Sequence, residues 1–83
     1  MTHSEFTAKY DYKHVPYDAK EGHPMGNSMF YECMVCHDVF PSLPDESIYC
    51  SCRNFHIDVD YGRIAARGGD TSFRLLSATP KMA

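Results

Sequence analysis

Residues 33–52 read CMVCHDVFPSLPDESIYCSC. Cys33 and Cys36 are separated by two residues, Cys50 and Cys52 by one, and thirteen residues lie between the pairs. Zinc takes four thiolates at ~2.3 Å in a tetrahedron, and a tight turn bearing two cysteines supplies one edge of it. A hairpin-length insertion then brings the second pair opposite the first. The spacing therefore predicts one Zn(2+) held by Cys33, Cys36, Cys50 and Cys52. The second pair is one residue shorter than is usual for such turns. Cys33-Met34-Val35-Cys36-His37 also matches a c-type haem attachment motif, but that reading leaves Cys50 and Cys52 unused. A dithiol redox centre would want a helix after the pair, where His37-Asp38-Val39-Phe40-Pro41 reads as extended. Iron in the same four-thiolate shell would give a rubredoxin-like electron carrier, and the spacing leaves that open.

The size of the chain makes such a fastening useful. Its 83 residues suffice for one domain, and an apolar core of that size is only marginally stabilising. The N-terminus lacks the basic stretch and apolar run of a secretory signal, and no stretch nears the ~20 apolar residues that span a membrane. The expected compartment is the reducing cytoplasm, where paired cysteines hold metals more often than disulfides. The net charge of −3 gives no general attraction to nucleic acid or anionic lipid. All four arginines lie in the second half, interleaved with aspartates.

Outward from the cysteines the pattern is that of strands. Met29–Glu32 and His37–Phe40 flank the first pair, and Ile48-Tyr49 enters the second. Phe55, Ile57, Val59 and Tyr61 alternate with His56, Asp58 and Asp60, the signature of a half-buried strand. Gly62 begins a turn, Arg63–Arg67 runs back, Gly68-Gly69-Asp70 turns again, and Thr71–Leu76 forms a last strand before a frayed end at residues 80–83. Upstream, Phe6, Ala8, Tyr10, Tyr12 and His14 alternate with polar residues as far as Val15, predicting a strand that Pro16 ends. Residues 16–28 read as a turn-rich loop. The expected fold is all-β: antiparallel hairpins around the zinc site over residues 29–79, preceded by an N-terminal strand or extended arm and loop over 1–28. No amphipathic stretch of helical length stands out.

The stretch from Tyr31 to about Leu76 resembles small uncharacterised bacterial and phage zinc-ribbon proteins. The residues that carry the resemblance are Cys33, Cys36, Cys50-Ser51-Cys52, Asn54, Ile57-Asp58 and Gly62-Arg63. It implies zinc and a ribbon fold, and no activity. Members of that group commonly place glycine after the second cysteine of each pair. Here His37 and Arg53 stand there, which predicts tighter or strained turns, with Asn54 the nearest residue tolerant of a left-handed backbone.

Four thiolates close the metal's shell and leave no position for water or substrate, so no enzymatic activity is expected. Asp58 and Asp60 read as the polar face of a strand rather than as an acid–base pair. His37 and Arg53 are expected beside the metal ligands, one moderating a thiolate and the other supplying counter-charge. Eleven aromatic residues, six of them tyrosines, exceed what so small a core can enclose. The favoured function is a protein-interaction module using Phe6, Tyr10, Tyr12 and Tyr17 on an unknown protein partner or across a homodimer. The alternative is nucleic-acid binding through Arg53, Arg63, Arg67 and Arg74 with stacking aromatics.

Overall fold

The computed structural model describes residues 1–60 and 63–81. Tyr61 and Gly62, where the sequence places a strand end and a turn, lie outside the described residues, as do Met82 and Ala83. One short helix, α1 (His3–Lys9), leads directly into β1 (Tyr10–His14). A single 3-10 turn at Ala19–Glu21 follows. The strands then run β2 (Met29–Cys33), β3 (Val39–Pro41), β4 (Ile48–Tyr49), β5 (Phe55–Asp58), β6 (Arg63–Ala66) and β7 (Phe73–Pro80). Two antiparallel sheets result, one ordered β1-β7-β2-β3 and the other β4-β5-β6. The architecture is a small all-β domain of the zinc-ribbon-like kind, as the hairpin pattern predicts.

The inner strands β2 and β7 of the four-stranded sheet are buried on both faces, and their sequence shows why. Phe73 and Leu75 of β7 point to one face with Tyr31, Cys33 and Phe40, where they meet Phe55, Ile57 and Ile64 of the smaller sheet. Leu76 and Ala78 point to the other, where Phe6 of α1 covers them together with Phe30 and Val39. A strand buried on both sides loses the simple polar alternation of a half-exposed one. In the core between the sheets Phe55 sits 4.9 Å from Phe73 and 5.8 Å from Phe40, ring centre to ring centre. β5 keeps the expected alternation, with Phe55 and Ile57 buried. It ends at Asp58, whose carboxylate accepts the Asp60 N–H at 3.1 Å. Asp58 and Asp60 thus close a turn and are not paired across a cleft.

Two expectations at the chain's ends are corrected. Phe6–Lys9 is helical, because Thr2 and Glu5 form a capping box: the Thr2 hydroxyl accepts the Glu5 N–H at 3.1 Å and the Glu5 carboxylate accepts the Thr2 N–H at 3.1 Å. The aromatic spacing that suggested a strand from Phe6 also fits i, i+4 on a helix, and Phe6 and Tyr10 do stack at 5.1 Å. At the other end β7 continues to Pro80, paired with Tyr10, and the Lys81 N–H donates to the Lys9 carbonyl at 2.9 Å. Residues 1–28 are therefore not a free arm. β1 is an edge strand of the larger sheet, and the following loop is tied down by Tyr31 Oη donating to the Pro24 carbonyl at 2.6 Å and by Ser42 bridging to Gly26.

Candidate metal centre

Cys33 ends β2, Cys36 follows in the turn toward β3, and Cys50 and Cys52 occupy the turn between β4 and β5. One pair thus belongs to each sheet. All four Sγ atoms lie within 4.8 Å of one another, with Cys33 and Cys52 at 3.7 Å and Cys50 and Cys52 at 3.4 Å. A metal–sulfur bond of ~2.3 Å sets tetrahedral edges of about 3.8 Å. The four sulfurs are therefore already placed to hold a single metal ion. None is in a disulfide.

Both turns place their donors by the same device. The Val35 N–H donates to Cys33 Sγ at 3.4 Å while the His37 N–H closes the turn on the Cys33 carbonyl at 2.8 Å. In the second turn the Phe55 N–H donates to Cys50 Sγ at 3.3 Å and the Arg53 N–H reaches the Cys50 carbonyl at 2.9 Å. The chain passes through the left-handed region at the residue after the second cysteine in each, with φ of 62° at His37 and 61° at Arg53. Asn54, expected as the tolerant residue, does something else. It is buried, and its side-chain carbonyl accepts the Gly68 N–H at 2.9 Å. Its amide donates to Ser72 Oγ at 3.1 Å and approaches Cys33 Sγ at 3.6 Å. Asp38 links the two turns by accepting the Ser51 N–H at 2.8 Å as well as the Ser51 hydroxyl.

These contacts split the thiols electrostatically. Burial pushes Cys33 up, yet the N–H groups of Cys36 and Val35, the Asn54 amide and the Cys52 thiol together bring it down to about 7. The Asn54 N–H pulls Cys52 down, but burial and the crowding thiols of Cys50, Cys36 and Cys33 prevail and drive it to about 12. Burial likewise raises Cys36. Four sulfurs this close cannot all ionise without a cation between them. A metal ion held among them would supply that charge.

The side chains expected beside the ligands go elsewhere. His37 Nδ1 faces Glu32 Oε2 at 3.0 Å, on the far side of β2 from the sulfurs. Arg53 lays its guanidinium 5.9 Å above the Tyr49 ring. Both serve the centre through backbone geometry alone. Of the aromatics read as partner-facing, Phe6 is fully buried. Tyr10 packs on Phe6 and Phe30, and Tyr17 bonds His23 at 2.9 Å and packs against Tyr31. Tyr12 retains the largest exposure of the four, 37%. The four arginines are also divided. Arg74 is committed to the buried Glu32 at 2.7 Å, and Arg63 sits across from Asp58 in the smaller sheet. Arg53 and Arg67 border one open cleft together with Tyr49 and His56.

Sequence reading missed Glu32 and Tyr49, and it named Asn54 without its bonds to Gly68, Ser72 and Cys33. The partners of Glu32 and Asn54 are distant along the chain, and Tyr49 carried no signal beyond its place before Cys50. Among the described residues no helix is long and apolar enough to cross a membrane. Compared with known proteins, the chain matches no family model, no curated protein and no solved structure, so the likeness to zinc-ribbon proteins stands on its cysteine spacing and on the geometry of this centre.

Proposed function

We propose that the four cysteines hold one structural zinc ion and that the domain acts as a binding scaffold, with no chemistry at the metal. The observation that carries this reading is the clustering of four Sγ atoms within 4.8 Å, two from each sheet. Four protein thiolates would complete a zinc shell, whereas a catalytic zinc keeps a position open. The N–H donors on Cys33 and Cys50 would spread the net negative charge of a loaded centre. Iron fits the same four sulfurs, and the partly open Cys52 would give an electron carrier a route to the surface, so the identity of the metal decides between the two.

Elemental analysis of protein purified without added metal tests the proposal. One zinc per chain is expected, with loss of fold on chelation and a tetrahedral thiolate spectrum after cobalt exchange. Zinc loading is expected to release protons, including that of Cys52, and to tighten as pH rises. Stoichiometric iron would favour the electron carrier. Four free thiols in a folded, metal-free protein would overturn both.

A further inference from the structure

The outer face of the smaller sheet carries a feature that neither the core nor the metal requires. Tyr49, His56 and Ala65 form one row across β4, β5 and β6, set by the registers Tyr49↔His56 and His56↔Ala65. Tyr49 is 61% exposed, yet its ring is fixed: it stacks on His56 at 5.3 Å and 27° and lies under the Arg53 guanidinium. With Ala65, Ala66 and Arg67 these side chains line an open cleft of about 300 Å³. The small Ala65 leaves room beside the stacked rings where a larger residue would fill it.

Charge follows the same division. Among the described residues the one ion pair between an arginine or lysine and a carboxylate joins Arg74 to Glu32, at the opposite side of the larger sheet. Asp58 and Arg63 are register partners two rows along, and Arg53 and Arg67 are the cations that line the cleft, on a chain whose net charge is −3. A planar aromatic platform flanked by two guanidinium groups matches a ligand that is itself a flat ring joined to anionic groups. A nucleobase with its neighbouring phosphates has that chemistry, and the bases of a single strand can leave their stack to meet a protein ring. A duplex keeps its bases stacked inside. An acidic peptide would satisfy the arginines and leave the platform unused.

We propose that the Tyr49–His56 platform, with Arg53 and Arg67, binds single-stranded nucleic acid, one base stacking on the rings and its flanking phosphates meeting the two guanidinium groups. This rests on the binding-scaffold reading above and names its partner. With two phosphate contacts, the slope of log K against log salt should be about −1.4.

The test uses the zinc-loaded full chain and fluorescein-labelled 12-mers of thymidine and of uridine, read by anisotropy at 50 mM salt, with zinc content and circular dichroism measured on every variant. Saturable binding of at least one oligomer is expected, and the tighter of the two identifies the nucleic acid. Tyr49→Thr, which keeps strand propensity, should weaken binding at least fivefold, and Tyr49→Phe should retain it within twofold. Arg53→Gln with Arg67→Gln should flatten the salt dependence, and Arg63→Gln should leave affinity within twofold. His56→Thr gives a second probe of the platform should Tyr49→Thr fail to load zinc. Absence of binding by folded, zinc-loaded protein at 1 mM, equal affinity for a duplex or for polyglutamate, or unchanged affinity in Tyr49→Thr would each overturn the inference while the zinc reading stands. Protein isolated without zinc would instead overturn the reading beneath it.

Discussion

Arg53 and His37 hold φ near +60°, a conformation in which the Cβ of an ordinary residue crowds its own carbonyl, at roughly 1–2 kcal/mol each. The turns nonetheless form because each closes on a cysteine carbonyl and aims an N–H at sulfur. Position 53 gives a clean test, since its side chain is exposed and lies over the exposed Tyr49 ring rather than in the core. Arg53→Gly should relieve the strain, offset by the greater freedom of glycine in the unfolded chain, for a net gain of about 0.5–1 kcal/mol. Urea unfolding at fixed free zinc measures it, and a loss of stability would show that the second turn is not strained. Asn54→Ala should act in the opposite direction. It leaves the Gly68 N–H without its acceptor and removes the donor shared by Ser72 and Cys33, at a cost of about 1–3 kcal/mol. Replacement elsewhere in the 66–72 turn cannot compensate, because a Cβ on Gly68 would meet that of Ser72 at 2.7 Å. The same unfolding series reads this out, and an unchanged midpoint would remove Asn54 from the support of the centre. The expectation of strained turns fell on the right positions, 37 and 53, but the left-handed backbone lies at those residues and not at Asn54, the one expected to tolerate it. The work of Asn54 was not legible in the sequence, since Gly68, Ser72 and Cys33 lie 14, 18 and 21 residues away.

At the level of elements, the clearest difference between pattern and structure is α1. Seven residues are too few for a helical period to register against the alternation of Tyr10, Tyr12 and His14, which is real and continues the same aromatic row. The discriminating signal is polar: Thr2 and Glu5 at capping-box spacing, with Lys9 in the last turn. Glu5 is held below its ordinary 4.5, first by the Thr2 N–H and then by the Thr2 hydroxyl. Its contribution is therefore present above pH 4.5 and is lost as pH falls through the lowered value. At neutral pH Thr2→Ala breaks the same box at a typical cost of about 1 kcal/mol. The expected result is faster hydrogen exchange at the Glu5 and Phe6 amides, with β5 and β6 unaffected. Equal exchange in both proteins would mean that burial of Phe6 alone holds the helix. Among the strands around the cysteines β5 was the most readable, because Phe55 and Ile57 are buried and alternate with partly exposed His56 and Asp58. β7 was only partly so, because burial on both faces erases its period and its last residues are ordered by β1, some 70 positions earlier.

Across the whole molecule the metal centre has a mechanical position: Cys33 and Cys36 extend the larger sheet, Cys50 and Cys52 the smaller, and the four sulfurs meet between them. The two sheets are not equally dependent on that clamp. The larger has an eight-residue central strand and a second core beneath α1, formed by Phe6, Phe30, Val39, Leu76 and Ala78. The smaller has ladders of two and four pairs and gives the shared core Phe55, Ile57, Ile64 and Cys50, with Ile48 and Ala66 partly buried against it. Removing the ion takes away the bonds that would tie the two cysteine turns to each other and leaves only thiol contacts such as Cys33–Cys52 and Cys50–Cys52 between them. Local opening follows the weakest contacts. Chelation should therefore free the smaller sheet first. The Arg67 and Cys50 amides, which bond the Asn54 and Phe55 carbonyls, should lose protection from exchange. The Ala78 and Val15 amides, which bond Ser28 and Leu75, should retain it about 100-fold longer, a gap of about 2.7 kcal/mol in opening free energy. Hydrogen exchange on protein stripped by excess chelator at neutral pH measures both sets at once. Simultaneous loss would show that the two sheets form one cooperative unit, with the ion stabilising the larger sheet as much as the smaller.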